Sequence, residues 1–145
     1  EETIDAFRSY ANIKHINLTY ESSFRYLNVW LDKDKMDSIL KNIISNALKY
    51  TPDGGNVHVF TSETEDTWSI EVKDTGIGIP KESIKKIWDR FYKSDLSRGK
   101  DKKGTGLGLA IVKEIIQAHG ENIDVISTQG VGSEFIFTLP KATAL

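Results

Sequence analysis

Asp74-Thr-Gly-Ile-Gly-Ile-Pro80 sets a carboxylate just ahead of two glycines spaced one apart and closes with a proline. Such a stretch makes a poor core and a good pocket rim, because glycine accepts positive φ and lets backbone approach a ligand without a β-carbon between them. The carboxylate is an acceptor for a donor such as the exocyclic amine of a purine. Upstream, Asn42-Ile-Ile-Ser-Asn46-Ala-Leu-Lys49-Tyr50 repeats asparagine at i, i+4 and adds a lysine. Amide oxygens are neutral hard ligands, suited to a Mg2+ whose other ligands are water and phosphate oxygens. Lys49 offers positive charge against phosphate. Downstream, Gly104-Thr-Gly-Leu-Gly-Leu109 leads into an apolar helix. The unpaired N–H groups of a glycine-rich helix start form an anion site. Arg98, Lys100, Lys102 and Lys103 lie just before it. Each segment alone has a blander reading: the solvent edge of an amphipathic helix, a strand-to-helix turn, a flexible loop beside a solvated basic run. In this order the three point to a nucleotide site.

These segments need a scaffold, and the hydrophobic periodicity outlines one. Residues 1–13 read as a short helix with Ile4, Phe7 and Ala11 on one side. Residues 15–22 and 26–31 read as strands, the first alternating Ile16, Leu18 and Tyr20 with polar residues. The clearest element is a helix over 34–50, with Asp34 as its cap and Asp37 in its first turn. Met36, Ile39, Leu40, Ile43, Ile44, Ala47 and Leu48 form its apolar face. At about 100° per residue, Asn42, Asn46 and Lys49 fall together beside that face. Strands follow at 56–62 and 67–73, the second pointing Trp68, Ile70 and Val72 one way. A short helix over 81–86 leads to Ile87-Trp-Asp-Arg-Phe91, and 92–103 is a polar, basic loop. A helix over 107–119 ends at Gly120, a C′ position, and strands at 122–127 and 132–139 close the chain. Strands arriving in adjacent pairs imply antiparallel pairing in a mixed sheet with helices on one face. The expected fold is α+β, a two-layer sandwich of a mixed, mainly antiparallel sheet of about five strands and three main helices. Strict βαβ alternation and the phosphate-binding GxxxxGK[ST] are both absent.

The composition fits one domain over residues 1–145, with 39% hydrophobic and 10% aromatic residues. A net charge of −2 gives no reason to expect nucleic acid or an anionic membrane as partner. The chain has no cysteine, which excludes disulfides, zinc thiolates and cysteine nucleophiles. No apolar run approaches the ~20 residues of a membrane span. The acidic start Glu1-Glu-Thr-Ile-Asp5, without methionine, reads as a cut inside a longer chain. His15 begins a strand, His58 lies in one, and His119 sits at a helix C-terminus; none suggests a catalytic triad. Trp30, Trp68 and Trp88 read as core or rim.

With the segments assembled, the chain resembles the catalytic and ATP-binding domain of bacterial sensor histidine kinases, in the GHKL ATPase superfamily with gyrase. The resemblance covers residues 30–140 well and the first 30 more loosely. Residues 42–50 match the family's N box, 74–80 the first glycine box, 87–91 the F box and 104–108 the second glycine box. Gly130-Val-Gly-Ser-Glu-Phe-Ile-Phe-Thr-Leu-Pro140 matches its last hairpin.

The resemblance implies roles. Asn46 would coordinate Mg2+ with Asn42 assisting, Lys49 would contact phosphate, and Tyr50 would lie against the base. Asp74 would accept from the adenine amine, with Gly76, Gly78 and Ile79 shaping the pocket. The backbone of Gly104, Thr105, Gly106, Leu107 and Gly108 would hold the phosphates. Residues 92–103 would form the ATP lid, anchored by Phe91. Two departures stand out. Lys93 replaces a frequent arginine and loses its bidentate fork, and His119-Gly120-Glu121 replaces His-Gly-Gly, a local change in a turn. ATP-hydrolysing members of the superfamily carry a glutamate base where this chain has Asn42, and an amide cannot take a proton from water. The expectation is MgATP held for attack by an outside histidine, slow intrinsic hydrolysis, and no phosphoacceptor in this chain. The implied partners are the dimerisation helices of the parent kinase and, downstream, a response regulator receiver domain. The domain is expected to be cytoplasmic and monomeric, in a parent that is a membrane receptor. The rivals are a nucleotide-binding signalling module without transfer and a GHKL serine kinase of the anti-sigma-factor type.

Overall fold

Alternation along the strands decides which side of the sheet becomes core. The computed structural model describes residues 2–22, 33–89 and 108–140. In β1 (Asn17–Ser22), β2 (Asn56–Glu63), β3 (Thr67–Asp74), β4 (Ile123–Thr128) and β5 (Gly132–Pro140), inward residues occupy every second position. Cross-strand register lines them up into rows, one running Leu18, Val57, Asp74, Ser133 and Ser127, the next Tyr20, Val59, Val72, Phe135 and Val125. The period of two thus yields one apolar face, with a polar row at the end where β3 stops.

Strand order is β1-β2-β3-β5-β4. β1 pairs with β2 in parallel, and the other three pairings are antiparallel. This is the expected mixed, mainly antiparallel sheet of five strands. The parallel pair is the departure from simple adjacent pairing: β1 and β2 are joined through a helix, as a parallel connection requires. The expected strand at 26–31 and Trp30 lie outside the described residues.

Among the described residues, three helices cover the apolar face: α1 (Glu2–Ile13), α2 (Lys33–Tyr50) and α3 (Gly108–Ala118). α2 sits centrally, touching α1, α3 and β3. Ile39, Ile43, Ile44, Ala47 and Leu48 bury its apolar stripe against Val57, Val72, Val112, Ile116 and Phe137. α2 starts one residue before the expected cap, so Asp34 lies in its first turn, where its charge favours the N-terminus. The short helix expected over 81–86 is a single 3-10 turn, Lys81–Ser83, followed by further turns. His15 does not begin β1. It stands at φ 55, the left-handed residue that ends α1.

α3 stops as its sequence predicts. Gly120 has φ 75, Gly120 N donates to Gln117 O at 3.0 Å and Glu121 N to Ile116 O at 3.2 Å. Only the Gly120 position in this Schellman turn needs positive φ, so Glu121 is accommodated, and its carboxylate accepts from Thr138 Oγ1 at 2.7 Å. Trp68 is buried in the core, and Trp88 is half-buried, edge-on to Phe135 at 6.0 Å.

Candidate functional site

The polar edge of α2 faces the start of α3. Asn42 Nδ2 donates to Ser38 O at 2.8 Å, which fixes the amide and leaves Oδ1 directed at Gly108. A β-carbon on Gly108 would lie 2.7 Å from that oxygen. Two segments separated by 66 positions in the numbering therefore meet with no side chain between them. Asn46, one turn further along α2, is half-buried, and its side chain makes no hydrogen bond to a described residue. Lys49 Nζ stands 5.6 Å from the Tyr50 ring centroid.

Asp74 ends β3 on the core side of the sheet, in the polar row. Its Oδ1 accepts from Gly76 N at 2.9 Å and from Ser133 N at 3.2 Å. Oδ2 accepts nothing from the described residues, and none of their side-chain polar atoms is sealed from solvent without a partner. Asp74 thus presents one oxygen fixed by backbone and one open to an incoming donor. Burial pushes its carboxyl above the usual aspartate range, while the two backbone N–H bonds pull it back.

Ser127 ties the neighbouring elements to this row. Its Oγ accepts from Ile79 N at 2.8 Å and from Ser133 Oγ at 2.7 Å, and donates to Gly132 O at 3.1 Å. Neither serine stands out in the sequence, since serine in a strand is ordinary. Their signal is register: both share the row of Asp74.

The glycines of the Asp74 loop make room first for the protein's own backbone. A β-carbon on Gly76 would stand 2.6 Å from Tyr50 O, and one on Gly78, at φ 72, would collide with Thr128 O. Ile77 between them donates to Tyr50 O at 3.1 Å and accepts from Gly130 N at 2.7 Å. The loop is seated between the end of α2 and the β4–β5 turn, with Asp74 at its root. Asn42, Asn46, Lys49, Tyr50, Asp74, Gly76, Gly78, Ile79 and Gly108 belong to these adjoining elements. Lys93, Gly104, Thr105, Gly106, Leu107, Phe91 and the segment 92–103 expected to form a lid lie outside the described residues.

A family model described as histidine kinase-, DNA gyrase B- and HSP90-like ATPase matches residues 31–143. The chain belongs to this ATPase family. Sensor histidine kinase WalK of Bacillus subtilis is 48% identical over 129 residues, which are 88% of this chain and 21% of WalK. The chain spans about a fifth of the length of the curated relatives it matches. The nucleotide-free catalytic domain of histidine kinase ThkA superposes with a TM-score of 0.84 at 28% identity, covering 98% of this chain and 91% of that one. A complex of ThkA with response regulator protein TrrA covers 97% of this chain and 39% of the kinase, with a TM-score of 0.79 at 25% identity. Full-length ShkA in complex with AMPPNP gives a TM-score of 0.84 at 29% identity over 99% of this chain and 29% of ShkA. The fold is that of histidine kinase catalytic domains. Among the described residues no helix is long and apolar enough to cross a membrane.

Proposed function

We propose that this domain binds MgATP and presents its γ-phosphate to a histidine on the dimerisation helices of the same parent kinase, as the catalytic part of a two-component sensor histidine kinase. The observation that carries the reading is Asp74, a buried carboxylate with Oδ1 fixed by two backbone N–H groups and Oδ2 open. A buried acceptor held in place by backbone selects a ligand with a matching N–H, such as the adenine amine, and rejects one without it. WalK and ThkA carry histidine kinase in their names, and ShkA was solved with an ATP analogue, which supports the same choice.

The residues also fit a hard divalent ion. Among the described residues no three His, Asp or Glu side chains gather to hold a metal. Two amides on one helix face instead suit a Mg2+ bound chiefly by phosphate and water, with Asn46 and Asn42 as the protein's share. Bound there, the ion would supply charge against the triphosphate. Lys49 would add charge at the phosphates, Tyr50 a ring against the base, and Gly76, Gly78 and Ile79 the pocket wall. Gly108 begins a helix and lies against Asn42; its free N–H groups, with Gly104, Thr105, Gly106 and Leu107, would form the anion site. Lys93 would approach the γ-phosphate from the lid over 92–103. An amide at position 42 cannot deprotonate water. The γ-phosphate is therefore kept for an outside imidazole nitrogen, which bonds to phosphorus as the bond to the ADP oxygen breaks. The product then serves a response regulator, the kind of partner with which ThkA was crystallised. We place the whole domain, as one unit, on the cytoplasmic side of a receptor.

Calorimetric titration with a non-hydrolysable ATP analogue, with and without Mg2+, tests the binding. Transfer of radiolabel from ATP to added dimerisation helices, followed by acid treatment, tests the chemistry. Binding followed by acid-labile label is the expected result. Binding without label on the helices means a signalling module without transfer, and acid-stable label means a serine kinase. No binding removes the nucleotide reading.

A further inference from the structure

The last four carbonyls of an α-helix have no partner inside it. In α2 all four are met, by three different groups. Ala47 O accepts from Thr51 Oγ1 at 2.6 Å, and Tyr50 O accepts from Ile77 N at 3.1 Å. Leu48 O and Lys49 O both accept from the ammonium of Lys14, at 2.7 and 3.3 Å, and Thr51 O accepts from it at 2.9 Å. An ammonium carries three donors and no acceptor, so it matches three converging carbonyls. Its charge also faces the negative end of the α2 dipole.

Lys14 reaches this position from 34 to 37 residues away, and its own backbone is held there. α1 closes in a Schellman turn, with His15 N donating to Asn12 O at 3.1 Å and Ile16 N to Ala11 O at 2.9 Å. His15 O then accepts from Gly54 N, and Asn17 N donates to Gly55 O, both at 3.0 Å. The end of α1 is thereby stitched to the turn that follows α2, with the Lys14 side chain reaching the helix end itself.

We infer that Lys14 is a positioning residue for nucleotide binding, an inference that rests on the nucleotide reading of the Asp74 site. The carbonyls that Lys14 holds, those of Leu48, Lys49 and Thr51, lie at the end of α2 and not at Asp74 or Asn42. Lys14 holds the last turn of α2, whose Tyr50 carbonyl seats the Asp74 loop through Ile77 N and through the close approach of Gly76. Without the ammonium, two terminal carbonyls and Thr51 O must turn to water, and the turn carrying Tyr50 loosens. Tyr50 O then leaves Ile77 N, and the loop loses its seat against α2. The effect on nucleotide is one of placement, so it falls on affinity.

The test uses the 145-residue chain, which corresponds in extent to the separately solved ThkA domain. Amide hydrogen exchange at Ile77 and titration with the Mg2+ complex of a non-hydrolysable ATP analogue are read together. Lys14→Met is expected to speed Ile77 exchange and weaken binding on the order of tenfold. Lys14→Arg, which restores charge and several donors, should recover binding to within about threefold. Ile4→Val, a core change in α1 remote from the carbonyls, should lower the Tm with Ile77 exchange and affinity as in wild type. Should Lys14→Met not fold, Lys14→Gln replaces it. Wild-type affinity and exchange in the Lys14 variant overturn the inference. So does a loss that Ile4→Val reproduces or arginine does not repair. A wild type that fails to bind defeats the nucleotide reading itself and the inference with it, a result distinct from equal binding by wild type and variant.

Discussion

Gly108 and Asn42 meet across the interface of α3 and α2 so closely that a β-carbon at 108 would stand 2.7 Å from Asn42 Oδ1. Alanine is ordinarily the better helix residue by about 1 kcal/mol. Here its methyl meets the end of a rotatable side chain, which can swing aside. Gly108→Ala should therefore keep the Tm within about 3 °C of wild type while displacing the Asn42 amide. Analogue affinity should lose most of its Mg2+ dependence, about five- to tenfold, in titrations with and without the ion. Unchanged Mg2+ dependence would remove Asn42 from the proposed ion site.

Asp74→Asn separates stability from binding. The native carboxyl is raised above its ordinary value of 3.8, chiefly by burial. Between 3.8 and the raised value the native state holds more protons than the unfolded chain, so stability falls as pH rises through that window. Asparagine keeps the acceptor that binds Gly76 N and Ser133 N and carries no charge to bury. The variant should be at least as stable as wild type at pH 7, with that advantage shrinking toward pH 3. Its affinity for the ATP analogue should drop ten- to a hundredfold, about 1.5–3 kcal/mol for a lost charged acceptor. Thermal melts at both pH values and one titration decide it.

Ser127→Ala removes the acceptor of Ile79 N and the hydroxyl that bridges Gly132 O and Ser133 Oγ. Leaving such groups without partners costs about 1–3 kcal/mol. A urea midpoint that does not move would mean water replaces the serine.

On the open face of the sheet, partial burial raises the Glu71 carboxyl above its ordinary 4.5, and the Glu134 carboxylate, hydrogen-bonded to it, raises it further against a smaller pull from Lys73. Native Glu71 therefore binds its proton more tightly than in the unfolded chain, and its penalty grows as pH rises from 4.5 through the raised value. Glu71→Gln should stabilise the domain at pH 7 by about a few tenths of a kcal/mol, the site being partly solvated. Below pH 4 the gain should vanish in denaturant titrations.

How much of this was legible depends on the kind of signal. α2 reads clearly because its apolar residues repeat at helical spacing over 18 residues. β3 and β5 read clearly because each alternates along its length. The direction in which β1 meets β2 is different: alternation says which face is buried and nothing about how a neighbour runs. Ser127 and Ser133 become part of the site only through register. Lys14 is invisible for a further reason, since its acceptors are carbonyls, which every residue has, and a lysine at a helix end usually reads as solvated. Gly76 and Gly78 read as room for a ligand, while the atoms against them are Tyr50 O and Thr128 O.

The bond from Ser133 N to Asp74 Oδ1 spans 59 residues. On a ribosome, Asp74 emerges long before the strand that completes its surroundings. Until β5 arrives, β3 presents an unpaired edge in the middle of the future sheet, open to pairing with other chains. A nascent chain ending before Gly132 would lack both the Ser133 amide and the serine bridge, and nucleotide would find no finished pocket on it. On the nucleotide reading proposed above, ATP in the cell would favour only fully synthesised, correctly closed domains, acting by mass action as a check on completion.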